Sequence, residues 1–201
     1  ELDPVVATSL EDLGKLGELL AKTHLRLAPL ADHLRRQPPL SQQVKSWHQD
    51  LLGSSEAARL APLYDFFQAR FDQIDAEYAC LPQAVLHGDY SWRNLKRRGD
   101  EWAVIDFERL VVDIPWRELA KLWLREVKPT EERQAFLEGY RKILPLQEPS
   151  PLLDACLSFQ LAQGIYRYVL KVDDREFRQM ADGVIEDVKA WCKNQGLDMS
   201  N

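Results

Sequence analysis

Apolar residues recur every three or four positions through most of the chain, which is the spacing of helices with one buried face. Turn residues and cap signals divide this pattern into about seven helices. The predicted helices cover residues 8–27, 41–53, 54–80, 116–124, 130–143, 150–170 and 173–193. Thr8 and Ser41 are predicted as N-caps, and Ser150 followed by Pro151 is a further cap signal.

Between the third and fourth helices, the pattern changes to that of short strands. Ala84 to Leu86 is typical of a short buried strand, and residues 95–97 and 102–105 predict two more. Residues 98–101 are predicted as the turn of a hairpin because Gly99 can adopt positive φ. The following Val111 to Pro115 is interpreted as a turn.

Candidate chemistry lies on this hairpin and on the loop before it. Asp89 comes just after a strand end, and the hairpin would bring Asn94 beside Asp106. Phosphoryl transfer from a nucleotide needs a carboxylate that orients the acceptor hydroxyl, and oxygen ligands for Mg²⁺. The spacing Asp-x-x-x-x-Asn, with an Asp after the next strand, matches the catalytic loop and metal-binding Asp of the kinase fold. The alternative is ordinary turn chemistry, with Asp89 in a solvated turn and Asp106 as a helix cap.

The motif resembles that of the aminoglycoside phosphotransferase and choline kinase-like family, which is His-Gly-Asp-x-x-x-x-Asn followed by Ile-Asp-Phe-Glu or Ile-Asp-Leu-Gly. It stands here as His87-Gly88-Asp89, Asn94 and Ile105-Asp106-Phe107-Glu108. The resemblance implies that Asp89 is the catalytic base and that Asn94 and Asp106 are Mg²⁺ ligands. It places Ile105 on the apolar floor under the adenine. The implied phosphate donor is ATP or another nucleoside triphosphate.

Two further residues resemble the family in the flanking helices. His24 ends a Leu-x-x-Leu-His pattern, and its position on an apolar helix face indicates a core histidine with a structural role. The segment 113–120 is a loose form of Asp-Pro-x-x-Asp-Leu-Ala, with Glu118 in place of the second Asp. We expect this acid, near a helix N-terminus, to brace the catalytic loop.

The roles of four residues near the motif stay open. Glu108, Tyr90 and Trp92 are close enough in sequence to face the acceptor, but loop packing or solvent exposure explains them equally well. Arg93 could meet a phosphate or an acid such as Asp113. The resemblance does not select one acceptor, since the family acts on aminoglycosides, choline-like amines, amino alcohols and sugars.

Composition narrows the function classes. The net charge is 26 − 32 = −6, which argues against nucleic acid as the main partner. The three cysteines are far apart and form no zinc-type cluster, so a reducing compartment is expected. No apolar run reaches membrane-spanning length and no signal peptide is visible. We therefore expect a cytoplasmic protein with no membrane partner.

The fold class expected from these features is α+β and mainly helical, with the helices around one small β-hairpin. The resemblance implies the C-terminal lobe of a protein kinase-like fold as a single domain over residues 1–201, with 1–7 as a hinge lead-in. Neither a Gly-rich loop nor a strand with the phosphate-binding Lys is visible. We expect the N-terminal lobe elsewhere in the full-length protein, and little or no kinase activity from this segment alone.

The function predicted is ATP-dependent phosphorylation of a hydroxyl on a small molecule. A second hypothesis is a non-catalytic, degenerate kinase lobe that serves as a binding or interaction module. A weaker third is a metal-dependent phosphoester hydrolase, which would usually need more carboxylates or histidines to hold two metals.

Overall fold

The structure is a computed structural model that describes residues 3–4, 9–99, 101–127 and 130–196. Among these residues it contains eight α-helices and five short strands. The helices are α1 (Leu10–Leu27), α2 (Leu40–Leu51), α3 (Ser55–Gln68), α4 (Phe71–Cys80), α5 (Pro115–Arg125), α6 (Thr130–Arg141), α7 (Pro151–Val172) and α8 (Arg175–Asn194). The strands are β1 (Asp3–Pro4), β2 (Ala84–Leu86), β3 (Leu95–Arg98), β4 (Glu101–Val104) and β5 (Val111–Asp113). The α+β, mainly helical class is confirmed.

The strands form two small antiparallel sheets. One has the order β1-β3-β4, and the other pairs β2 with β5. In the β3–β4 hairpin Leu95 lies opposite Val104, and Gly99 in the turn has a φ of 58°. The hairpin predicted from the sequence is therefore confirmed, including the need for glycine in its turn.

The interpretation of residues 111–115 as a turn is wrong. Val111 to Asp113 form a strand whose middle residue, Val112, lies opposite Val85 of β2. Val112 also forms backbone hydrogen bonds at its other edge, donating to the Arg35 carbonyl at 3.0 Å and accepting from Gln37 at 3.0 Å. Two successive β-branched residues suit this pleated position better than a turn.

The prediction of one long helix over residues 54–80 is also wrong, which raises the helix count from seven to eight. The chain breaks between α3 and α4 at Ala69 and Arg70, although neither Gly nor Pro stands there. The Arg70 guanidinium donates to the Phe66 carbonyl at 2.7 Å, and the Arg70 amide donates to the Phe67 carbonyl at 2.8 Å. Arginine at a helix C-terminus can satisfy such carbonyls, and the sequence signal for this is weak.

Two of the three predicted caps need correction. The N-cap of α1 is Ser9, which accepts from the Asp12 amide at 3.1 Å, and Thr8 lies outside the described residues. Ser41 lies inside α2, and its amide and hydroxyl donate to the Asp75 carboxylate at 3.0 and 2.5 Å. Ser150 is confirmed as the cap of α7, since its hydroxyl accepts from the Leu153 amide at 3.3 Å.

The chain divides into two compact units, and each is described by itself. The first comprises residues 1–37 and 82–148, and the second comprises residues 38–81 and 149–201. In the first unit α1 packs closely on α6, where a Cβ at Gly17 would lie 2.0 Å from the Phe136 carbonyl oxygen. In the second unit α7 packs on α2 and α8. The single-domain interpretation stays a prediction.

A helix that crosses a bilayer must be long and predominantly apolar, and this bears on the helices of the described ranges. None of them combines the length and the apolar composition that crossing the hydrocarbon core would require.

Candidate active site

His87, directly after β2, connects the loop that is predicted to be catalytic, residues 87–94, to the end of β4. Its side chain is fully buried; Nε2 donates to the Ile105 carbonyl at 2.9 Å, and Nδ1 accepts from the Asp89 amide at 3.2 Å. Because Nδ1 is an acceptor, the ring proton lies on Nε2. One imidazole therefore fixes both the loop that carries Asp89 and the segment that carries Asp106.

Gly88 is required by both conformation and space. Its φ is 82°, in the region that favours glycine, and a Cβ there would lie 2.2 Å from the Arg109 carbonyl oxygen. The Gly88 amide donates to Glu118 Oε1 at 2.7 Å. Glycine therefore lets the loop pass against Arg109 while its backbone stays hydrogen-bonded.

Glu118 of α5 supports the loop from inside the first unit. Its buried carboxylate accepts from the amides of His87 and Gly88 at 3.1 and 2.7 Å, and from His24 Nε2 at 3.0 Å. Burial raises the pKa of Glu118, but the hydrogen bond from His24 and the charges of His24 and Lys121 outweigh this, so that the pKa lies below its ordinary value. The predicted bracing role of Glu118 is confirmed by these contacts.

His24 extends this support to a third helix. It is 1% exposed, and its Nδ1 shares a 2.8 Å hydrogen bond with the Tyr140 hydroxyl on α6. Both ring nitrogens are thus satisfied, which confirms the structural role predicted for His24. The chain Tyr140–His24–Glu118 links α6, α1 and α5 to the catalytic loop.

Asp89 and Asn94 of this loop lie side by side. The Asn94 amide nitrogen donates to the Asp89 carbonyl at 2.9 Å and to Asp89 Oδ2 at 3.3 Å. Asn94 is 5% exposed and the Asp89 side chain 12%. The Asn94 amide oxygen makes no hydrogen bond within the described part of the chain, so it remains an acceptor for a ligand.

Asp106 is placed next to this pair by the hairpin. The Ile105 amide donates to the Asn94 carbonyl at 2.9 Å, and Asp106 follows directly with an exposed side chain. Its φ of 68° is uncommon for a residue other than glycine, although Asp and Asn adopt it most readily. Such conformations are concentrated at functional sites.

Arg93 interacts electrostatically with both acids. It forms an ion pair with Asp89, and this bond and charge, followed by the charge of Asp106, raise the pKa of Arg93. Its side chain is 59% exposed. Asp113, named as an alternative partner for Arg93, instead pairs with Arg117 Nε at 3.2 Å.

The remaining predicted residues have different environments. Tyr90 is 3% exposed and donates to the Leu16 carbonyl at 2.9 Å, which favours loop packing over an acceptor contact for this residue. Trp92 is half-buried, and its amide donates to Glu126 Oε2 at 2.7 Å. Ile105 is half-buried, whereas Glu108 has a 70% exposed side chain.

Sequence reasoning missed three ionisable residues at the C-terminal half of α5 and just beyond it. Arg125 Nη1 lies 3.9 Å from Asp89 Oδ1, and Lys121 donates to the Gly88 carbonyl at 3.1 Å. Burial lowers the pKa of Lys121 and raises that of Glu126. A signal was available, since Glu118, Lys121 and Arg125 have the i, i+3, i+7 spacing of one helix face.

The chain is similar to known proteins in both sequence and fold. Residues 3–152 match the model of the phosphotransferase enzyme family, APH. The chain belongs to this family, as the motif resemblance predicted. No curated protein matches the chain.

Solved structures with a similar fold include three phosphate-transferring enzymes. Choline kinase LicA from Streptococcus pneumoniae is 14% identical with a TM-score of 0.69, covering 94% of this chain and 68% of its own. Macrolide 2′-phosphotransferase MphH from Brachybacterium faecium is 19% identical with a TM-score of 0.53, covering 90% and 61%. Aminoglycoside 2′-phosphotransferase-IIIa, in its GDP complex, is 12% identical with a TM-score of 0.62, covering 94% and 68%.

These identities are low, so the comparison concerns the fold. The fold is kinase-like, as expected from the sequence. The chain spans 61% of the length of the macrolide phosphotransferase structure and 68% of the other two.

Proposed function

We propose that the chain carries the catalytic base and the metal ligands of a kinase for small molecules. The reaction is transfer of the γ-phosphate of ATP, or of another nucleoside triphosphate, to a hydroxyl group. The observation that carries this proposal is the 2.9 Å bond between the Ile105 amide and the Asn94 carbonyl. It puts Asp106 beside Asn94, whose side chain already contacts Asp89. Family membership supports the class of reaction.

Asn94 and Asp106 are the proposed ligands of Mg²⁺. A hard cation prefers carboxylate and amide oxygens, and the Asn94 oxygen and the exposed Asp106 carboxylate supply both types. The donor set therefore fits this ion. When bound, Mg²⁺ would neutralise charge on the transferred phosphates.

Asp89 is the proposed base that orients the acceptor hydroxyl and takes its proton. Its Oδ2 is held by Arg93 and by Asn94, whereas Oδ1 has a contact with Arg125 at 3.9 Å, longer than a hydrogen bond. Oδ1 is therefore the oxygen offered to the acceptor. Arg93 is much more exposed than Asp89, so the acceptor reaches the carboxylate past the Arg93 side chain.

The nucleotide is proposed to contact Ile105 through its base, with the rest of its site on an N-terminal lobe of the full-length protein. This chain would then be the C-terminal lobe. The greater length of the similar structures supports that arrangement. Positioning and electrostatics supply most of the catalysis in phosphoryl transfer, so residues 1–201 alone are expected to have weak or no activity. Robust Mg²⁺- and ATP-dependent turnover by this segment would refute that expectation.

The test of the proposal is Asp89→Ala in the full-length gene product. ADP release is measured with mixtures of amino alcohols, aminoglycosides and sugars as acceptors. Loss of the base should lower turnover by about 10²–10⁴-fold while the circular dichroism spectrum is kept. Asp32→Ala, at an exposed aspartate of the same unit, is the matched control and should retain activity.

Two other results would redirect the assignment. Full activity of Asp89→Ala would show that another group is the base. Failure of the wild-type, full-length protein to bind Mg²⁺-nucleotide would favour the non-catalytic binding module.

A further inference from the structure

A cavity of about 360 Å³ lies beside the catalytic loop in the first unit. It is lined by Arg35, Gln37, Gly88, Arg109, Leu110, Val111 and Lys121. Three of these side chains are cationic and none is acidic. We call this space the cationic cavity.

The walls of the cavity are fixed by backbone hydrogen bonds. Residues 35–37 are attached to β5, since Val112 donates to the Arg35 carbonyl and accepts from the Gln37 amide, both at 3.0 Å. The Gly88 amide, which also belongs to a lining residue, is held by Glu118 at 2.7 Å. Arg35 therefore projects from backbone bonded to β5, and Lys121 projects from helix α5.

Lys121 is the most enclosed of the three cations. Its ammonium donates to the Gly88 carbonyl at 3.1 Å, which engages one of its three hydrogens. Burial, and then the charge of Arg117, lower the pKa of Lys121, so its surroundings do not fully compensate its positive charge.

The acids nearest to Lys121 are already engaged with other groups. Glu118 accepts from His24 and from two backbone amides, Asp89 pairs with Arg93, and Asp113 pairs with Arg117. Their charges favour the ammonium form of Lys121, but none of them lines the cavity.

The two arginines of the cavity are also weakly neutralised. Arg109 Nε lies 3.8 Å from the Glu108 carboxylate, and both side chains are more than 60% exposed. Exposed ion pairs of this kind contribute little free energy, so Glu108 does not neutralise Arg109 strongly. The exposed Arg35 guanidinium has no hydrogen bond or ion pair within the described residues. A guanidinium presents a planar fork of donors that fits the oxygens of phosphate and carboxylate.

We propose that the cationic cavity binds an oxyanion, a phosphate or carboxylate group, next to the catalytic loop. The anion is either free in solution or a substituent of the acceptor. The binding site itself does not depend on the proposed kinase activity. The net negative charge of the chain gives no indication of it, because the three cations come from separate parts of the sequence.

The first experiment titrates inorganic phosphate into the full-length protein at low ionic strength, with calorimetry as the readout. Saturable binding with a dissociation constant of about 1–10 mM is expected for a small anion. Arg109→Gln should weaken it about tenfold, or by about 1.4 kcal/mol, since the variant loses a charge-assisted hydrogen bond to the anion. Arg35→Gln should also weaken phosphate binding.

Arg36→Gln is the matched control for these variants. Arg36 is an exposed neighbour of Arg35 that bonds Gln83 at 2.8 Å and does not line the cavity. Its phosphate affinity should stay within about twofold of wild type. Arg109→Lys keeps the charge and loses the fork, so it should fall between wild type and Arg109→Gln. Thermal unfolding shows whether each variant is folded.

The second experiment identifies the source of the anion, and this arm alone depends on the proposed function. Acceptors are supplied in pairs that differ by one phosphate or carboxylate group. If the anion belongs to the acceptor, Arg109→Gln lowers the ratio of kcat/KM for charged over neutral acceptor about tenfold, and Arg36→Gln does not. An unchanged ratio together with measured phosphate binding identifies a free anion.

The proposal is overturned if phosphate does not bind saturably to the wild-type protein. It is also overturned if Arg109→Gln and Arg35→Gln bind phosphate as tightly as wild type. Absence of turnover with every acceptor would count against the kinase assignment alone, because the phosphate titration needs no catalysis.

Discussion

The catalytic loop, residues 87–94, and the segment after β4, residues 105–110, carry the two halves of the candidate site but are held differently. In the loop, His87, Ser91 and Asn94 are buried. The Glu118 carboxylate accepts hydrogen bonds from two backbone amides of the loop. In the second segment, residues 106–109 are exposed. That segment is fixed mainly through the backbone of Ile105, which bonds Asn94 and His87.

The loop is therefore ordered by contacts within the protein, whereas the second segment leaves its side chains accessible to a ligand. The proposed base, Asp89, is held in a preformed geometry, which would avoid reorganisation on binding of the proposed acceptor. The Asp106 carboxylate, on a backbone with positive φ, is exposed and therefore accessible to the proposed metal. The loop should therefore depend on buried contacts for its stability, whereas the second segment should depend on backbone conformation.

The largest effect is expected from Glu118→Ala. The change leaves His24 and two loop amides without their acceptor in the interior, and breaking such a buried cluster costs about 3–5 kcal/mol. Urea unfolding of the full-length protein measures the loss. Glu11→Ala, at an exposed glutamate of α1 paired with Lys15, should change stability by less than about 0.5 kcal/mol. Similar losses in both variants would show that Glu118 does not support the loop.

Acid should weaken the same support by a smaller amount. The pKa of Glu118 is lower in the folded protein than its ordinary value of 4.5, so its stabilising contribution is present above that pH and is lost as pH falls through the folded-state pKa. The difference in unfolding free energy between wild type and Glu118→Gln should shrink on acidification below about pH 4.5. A difference that is constant or grows in this range would contradict the prediction.

Substitutions of Asp106 test whether the stability of the second segment depends on its backbone conformation. Ala tolerates positive φ poorly and Asn tolerates it well, so Asp106→Ala should lose about 1–2 kcal/mol and Asp106→Asn less than about 0.5 kcal/mol. Both variants lose the carboxylate and should bind Mg²⁺-nucleotide more weakly. Urea unfolding and nucleotide titration separate the two effects. Equal stability of the two variants would show that the conformation at Asp106 carries no cost.

The site was predictable where its residues are close in sequence. The spacing from Asp89 to Asn94, followed by a hairpin with Gly99 in its turn, is enough to predict that Asn94 lies beside Asp106. A glycine turn and two alternating strands largely fix which residues lie opposite each other. Local pattern is therefore sufficient for this part of the structure.

Long-range side-chain contacts were not predictable in the same way. His24 and Glu118 are 94 residues apart, and Arg125 approaches Asp89 from another helix. Such pairs arise from packing between elements, which periodicity within one element does not specify. The break at Arg70 was missed for a related reason, since its side chain caps α3 without a Gly or Pro signal.

The smallest effect is expected from Tyr90→Phe, which tests whether Tyr90 has a packing role. Loss of the hydroxyl leaves the buried Leu16 carbonyl without this donor and should cost about 0.5–1.5 kcal/mol in urea unfolding. The acceptor KM should not change, because the ring lies in the interior and not at the open side of Asp89. Tyr168→Phe, at a 43% exposed tyrosine, is the control and should be neutral in both measurements. A raised KM with unchanged stability would return Tyr90 to the acceptor site and weaken the contrast between a packed loop and an open second segment.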